Sequence, residues 1–170
     1  MQKQVKGFML IILILLQLPS FSQTHKNRIG VRLGYHSGFT YQHLYQQNRG
    51  LEMIFSFTGD QIKLTGLTEW VNPARRLRQK SWSWRYGFGG HGGVQRKYVC
   101  QVQNEVTGDE ICRYELRPVL GFDGIFGMEY TFDHIPLSIG GDYKPSVNIF
   151  DQHNWPTGLV EFGFNCRYVF

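Results

Sequence analysis

The chain has 170 residues, with 18 Lys and Arg against 13 Asp and Glu and a net charge of +5. So small an excess is no nucleic-acid footprint, and two of the positive charges, Lys3 and Lys6, fall in a segment read below as a removable leader. The length suits one domain, with no tandem repeat and no low-complexity tract.

Lys3 and Lys6 give a short positive start, and Gly7 to Pro19 follow without a charge. Ser20-Phe21-Ser22 then sets small residues at the two positions a signal peptidase reads. A basic start, an apolar middle and a small-residue end form a secretory signal peptide, so residues 1–22 are expected to be cleaved after Sec-type export. The apolar run is shorter than the ~20 residues a spanning helix needs. Residues 23–170 would then make the mature domain.

From Arg28 onward the dominant pattern is period 2, which predicts strands with two unlike faces. Ile29, Val31, Leu33 and Tyr35 alternate with Gly30, Arg32, Gly34 and His36. After a break at Ser37-Gly38, Phe39, Tyr41 and Tyr45 continue raggedly to a turn over Gln46–Gly50. Leu51, Met53, Phe55 and Phe57 then oppose Glu52, Ile54 and Ser56, and Thr58-Gly59-Asp60 predicts a tight turn. Ile62, Leu64, Thr68 and Trp70 alternate with Lys63, Thr65, Leu67 and Glu69, ambiguously at Leu67. A basic, Pro-containing turn over Asn72–Lys80 follows.

Trp82, Trp84, Tyr86 and Phe88 form the clearest stripe, opposite Ser83, Arg85, Gly87, Gly89 and His91. The polar stretch Gln95–Arg117 reads as the longest loop. Leu120, Phe122, Phe126, Met128, Tyr130 and Phe132 come next, against Asp123, Gly127 and Glu129. A turn at Asp133–Pro136 leads to Leu137 and Ile139, whose opposite face carries Ser138, Gly140, Asp142 and Lys144. After a loop over Val147–Pro156, Val160, Phe162, Phe164, Cys166, Tyr168 and Phe170 alternate with Glu161, Gly163, Asn165 and Arg167. The count is eight strands, an even number, with no helix between them.

Alternation alone fits either a soluble barrel, apolar inside, or a membrane barrel, apolar outside. The clearest apolar stripes carry no charge, while the faces opposite carry Arg32, Arg85, Asp123, Glu129, Glu161 and Arg167. Lipid enforces that purity, because an Arg or Lys facing the bilayer midplane costs about 2–4 kcal/mol. The stripes are also rich in Trp, Tyr and Phe, as membrane-interface girdles require, and turned inward they would overfill so small a barrel. The expected fold is therefore all-β: a single antiparallel, up-and-down transmembrane β-barrel of about eight strands.

The closing stripe Phe162-x-Phe164-x-Cys166-x-Tyr168-x-Phe170 resembles the C-terminal signal of bacterial outer-membrane barrels. With the strand count, the resemblance to small eight-stranded outer-membrane proteins of the OmpA/OmpX-like class extends over residues 28–170. It implies the outer membrane of a Gram-negative cell as location, outer-membrane lipid as surroundings, and recognition of Phe162, Phe164, Tyr168 and Phe170 by the assembly machinery. With both termini in the periplasm, the connections near Ser37-Gly38, Thr58–Asp60, Gln95–Arg117 and Val147–Pro156 face outward.

Cys100 and Cys112 flank a stretch whose Thr107-Gly108-Asp109 predicts a hairpin tip. In an exported protein they are expected to form a disulfide, with Cys166 left as a buried thiol. Two cysteines supply too few ligands for zinc, and no metal is expected. The glycine-rich run Gly87 to Gly93 lacks the Lys-Ser/Thr ending and the following helix of a phosphate loop, so no nucleotide cofactor is expected. Its glycines are instead expected to make room for large side chains in a narrow lumen or to loosen the strand's end.

The lumen face collects Arg32, Glu52, Lys63, Glu69, Arg85, Asp123, Glu129, Asp142, Lys144, Glu161 and Arg167. Such charges pair and fill the interior, since eight strands leave room for side chains and little else. The expected role is structural or surface-interacting, with an extracellular ligand at the Gln95–Arg117 loop as a candidate partner and nucleic acid excluded. Two other roles compete. An outer-membrane hydrolase of lipid A or phospholipid acyl chains would need a Ser and a carboxylate beside His36 or His91. A narrow solute or ion channel would need an open lumen.

Overall fold

The computed structural model describes residues 26–74, 81–102, 110–149 and 161–170, without the side chains of residues 101, 102, 110 and 111. The expected signal peptide, the 107–109 hairpin tip, and most of the turn and loop expected over 72–80 and 147–156 lie outside these residues.

Nine strand segments follow in order: β1 (Asn27–Gly34), β2 (Ser37–Gln46), β3 (Arg49–Thr58), β4 (Gln61–Pro73), β5 (Trp82–Val102), β6 (Glu110–Thr131), β7 (Leu137–Lys144), β8 (Ser146–Asn148) and β9 (Glu161–Val169). Segments β7 and β8 are two lengths of one strand, since both pair with β6 and only Pro145 parts them. Proline has no N–H to give the ladder. Its carbonyl still accepts from Gly124 N at 2.8 Å, so the strand continues past it. Each strand pairs antiparallel with the next, and β9 returns to β1 with Arg28 opposite Val169 and Gly34 opposite Gly163. The result is a closed eight-stranded, up-and-down barrel with no free edge.

The period-2 pattern maps onto two walls. On β3, Leu51, Met53, Phe55 and Phe57 face out while Gly50, Glu52, Ile54 and Ser56 are interior or nearly so. Strands β1, β2, β4 and β9 repeat the arrangement, which explains why the large apolar side chains are the exposed ones. Leu67 departs from that rule with Ile54 and Ile125: it lies inside, 2% exposed, in an apolar cluster with them. The ragged stretch of β2 coincides with a register shift between Leu44 and Gln46, where a bulge interrupts the alternation.

Asn27, Phe170 and the connections after β2, β4 and β6 gather at one rim, where Asn27 N donates to Phe170 O at 3.0 Å. That rim carries most of the indoles. Trp70 stacks on its cross-strand partner Tyr86 at 5.6 Å, Trp84 stacks on Tyr86 at 5.3 Å, and Trp82 packs on Tyr130 at 5.2 Å. Arg49 sits 5.9 Å over Trp70.

Two expectations need correction. Gln95–Arg117 is not a loop throughout: Gln95 pairs with Arg117 and the ladder runs on to Val102 opposite Glu110. Both arms carry β-favouring side chains (Tyr98, Val99, Tyr114), and β5 and β6 continue as a two-stranded ribbon past the rim. Cys166 is not buried: it is exposed on the outer wall, beside an apolar groove over Gly141 that Phe164 and Ile139 also line. The parity of β9 turns it outward, where a thiol acts as a small hydrophobe.

Candidate functional site

The barrel interior is the chemically dense region. Among the described residues six cations are buried there (Arg28, Arg32, Lys63, Arg85, Lys144, Arg167) and six carboxylates (Glu52, Glu69, Asp123, Glu129, Asp142, Glu161), so the formal charges cancel. Each belongs to an inward-facing position of a strand, and closure of the sheet brings all of them onto one axis.

Half of the network centres on Glu52. Arg85 Nη1 donates to Glu52 Oε2 at 2.6 Å and to Glu69 Oε1 at 3.1 Å, and its Nη2 reaches Asp142 Oδ2 at 3.0 Å. Arg167 donates one amine to Glu52 and the other to Glu129 Oε2 at 2.9 Å. Arg28 meets the second oxygen of Glu129 at 2.8 Å. Thr40 and Gln42, which the sequence reading left out, donate to Glu52 and Glu69. Both lie on the inner face of β2 and are almost fully enclosed; their alternation with the outward Phe39 and Tyr41 on the same strand was the available signal.

Nearer the opposite rim Glu161 gathers His36 Nδ1 at 2.7 Å, Lys63 Nζ at 3.2 Å and Lys144 Nζ at 3.7 Å. Lys144 also reaches Asp123 at 3.0 Å, and Asp123 holds His91 Nδ1 at 2.7 Å. Arg32 joins the two halves: it donates twice to Asp142 Oδ1, at 3.0 and 2.7 Å, and lies 3.6 Å from Glu161. Removing any one partner would strand a charge in a low-dielectric interior, so the set holds together as a unit.

Glycines supply the needed space at several positions. A Cβ on Gly163 would lie 2.6 Å from Arg32 Cζ, and one on Gly121 would lie 2.5 Å from His91 Cε1. Inside the glycine-rich run, one on Gly87 would lie 2.9 Å from Glu69 Cγ, so lumen glycines admit large neighbours both within that run and outside it. Within that run Gly89 abuts backbone instead, its missing Cβ falling 1.9 Å from Gly66 O.

His36 and His91 each have a carboxylate on Nδ1, as a hydrolase needs, and an amide oxygen on Nε2. His36 Nε2 faces Gln61 Oε1 at 2.9 Å, and His91 Nε2 faces Asn148 Oδ1 at 2.8 Å. Ser37, next to His36 in sequence, turns its hydroxyl back to Gly34 O at 3.0 Å. Adjacent strand residues point to opposite faces, which separates this pair.

Cys100 and Cys112 are directly opposite in the ribbon and joined by a disulfide. Phe162 and Phe164 are exposed on the outer face of β9, while Phe170 is exposed just beyond its end.

A crystal structure of the N-terminal β-barrel domain of Pseudomonas aeruginosa OprF superposes on the chain with a TM-score of 0.57, covering 85% of this chain and 95% of that one. This is the fold of a small OmpA-like barrel. Sequence identity is 6%, so the likeness is one of architecture. No family model and no curated protein sequence matches the chain.

Proposed function

We propose that this protein is an integral outer-membrane β-barrel whose lumen is closed by its own ion pairs, with a structural or surface-interacting role and no turnover. One observation carries the reading: each of the twelve buried charges of the interior network is paired within the lumen, whereas the outer wall presents Ile29, Leu33, Phe39, Leu64, Phe122 and Phe164 at roughly half exposure or more. Water would penalise such a wall, and lipid would not. The OprF-like architecture supports the same location. On this reading the rim with Asn27 and Phe170 faces the periplasm and the β5–β6 ribbon stands outside the cell. The last strand would serve assembly through Phe162, Phe164, Tyr168 and Phe170.

The packed interior disfavours a channel. Arg85, Arg167, Glu52 and Glu69 are at 0% exposure and span the lumen from opposite walls. The hydrolase reading is disfavoured because Nε2 of each histidine faces an amide oxygen, of Gln61 or Asn148. Reconstitution into planar bilayers tests the proposal: inserted barrels are expected to give no steady current, and a stable single-channel conductance would overturn the closed lumen. Heat-modifiable mobility in detergent gels tests membrane-barrel character, and a folded chain without that shift would overturn it.

A further inference from the structure

Past Gln95, β5 loses its partner β4: the last contact is Arg96 N donating to Asp60 O at 2.7 Å, and beyond it the strand pairs with β6 alone. The parity of the lipid-facing stripe nevertheless continues. Phe88, Val94 and Tyr98 on β5 share a face with Phe122, Leu120, Leu116 and Tyr114 on β6. Tyr98, Tyr114 and Leu116 are 60%, 69% and 72% exposed, an apolar and aromatic face kept where the barrel wall has already ended.

We propose that this face binds the phosphate-bearing headgroups of outer-leaflet lipid. The inference rests on the outer-membrane reading above and assigns the ribbon a ligand. Two observations select lipid as the occupant. The face is continuous with the lipid-facing wall, so it meets the leaflet just where hydrocarbon gives way to headgroups, the depth at which Tyr is favoured. Its charge is also complementary. Arg96 lies 5.9 Å over the Tyr114 ring and pairs with no carboxylate among the described residues. On the other face Arg113 and Arg117 are both held by Glu115, at 2.9 and 3.4 Å, so the aromatic face has Arg96 as its own cation. A guanidinium supported by an aromatic ring presents paired N–H donors that match phosphate oxygens. The Tyr98–Tyr114 contact, 5.1 Å between centroids, and the Cys100–Cys112 bridge hold both arms in register, so the surface is preorganised.

The test uses the folded, full-length protein in detergent, with bisphosphorylated lipid A and its phosphate-free counterpart as probes and native mass spectrometry as readout. Bisphosphorylated lipid A is expected to bind about tenfold more tightly than the phosphate-free form. Arg96→Gln is expected to remove about that factor, and Arg96→Lys to keep most of it. Tyr98→Ser with Tyr114→Ser is expected to weaken both probes. Equal binding by native protein and the Arg96→Gln variant would overturn the proposal, as would capture of a protein by the ribbon with no lipid dependence. Heat-modifiable mobility is recorded for each variant. A normal shift without lipid binding sinks this inference alone, whereas loss of the shift in the native protein sinks the membrane reading beneath it.

Discussion

The guanidinium of Arg32 occupies the space where Gly163 lacks a side chain, within 2.6 to 2.7 Å of the position a Cβ would take. Two hydrogen bonds to Asp142 hold that guanidinium in place, so it cannot step aside without breaking the link between the two halves of the lumen network. Gly163→Ala is therefore expected to destabilise the barrel by about 1–3 kcal/mol through overpacking. Urea unfolding in detergent, followed by tryptophan fluorescence, checks it; an unchanged midpoint would mean that Arg32 relaxes freely.

Glu52 is the carboxylate on which Arg85 and Arg167 converge. Glu52→Ala would leave both guanidinium groups short of a partner in a dry interior, at an expected cost of about 3–5 kcal/mol. Glu115→Ala, in the exposed ribbon pair with Arg113, is expected to change stability by no more than about 1 kcal/mol. The same urea titration reads both variants, and equal effects would refute the buried-network account.

Phe55 faces outward near the middle of β3 and is 46% exposed. In lipid vesicles Phe55→Arg is expected to cost about 2–4 kcal/mol, because the guanidinium would face hydrocarbon. On a water-facing wall the same change would be close to neutral or favourable. Unfolding in vesicles thus distinguishes the two environments by sign as well as size.

Reduction of the Cys100–Cys112 bridge is expected to loosen the ribbon and leave the barrel intact, since the bridge lies beyond the last contact with β4. Limited proteolysis should cut between the arms faster after reduction, with the heat-modifiable shift retained. A barrel that loses its shift on reduction would show that the bridge supports the wall itself.

Much of this architecture was legible because strand parity is a local property. Once Phe55 faces out, Glu52 and Ile54 must face in, so the list of lumen charges follows from alternation alone. Leu67 shows the limit of that logic. Its apolar character argued for the outer wall, yet parity placed it inside, where Ile54 and Ile125 from other strands give it an apolar niche. Gln95–Arg117 misled for a related reason: its polar residues read as a loop, but in a free-standing ribbon both faces meet solvent or headgroups, and polarity no longer marks the end of a strand.

By itself the sequence determined the strand count, the two faces of each strand, and the assignment of charge to one face and aromatic bulk to the other. Only the tertiary structure decided who pairs with whom. Arg28 meets Glu129 across 101 residues, and Arg167 meets Glu52 across 115. Those contacts depend on the stagger with which β1 closes on β9 and on which inward positions that stagger sets at one height in the lumen. Period 2 fixes a direction for each side chain; closure of the sheet fixes its neighbour.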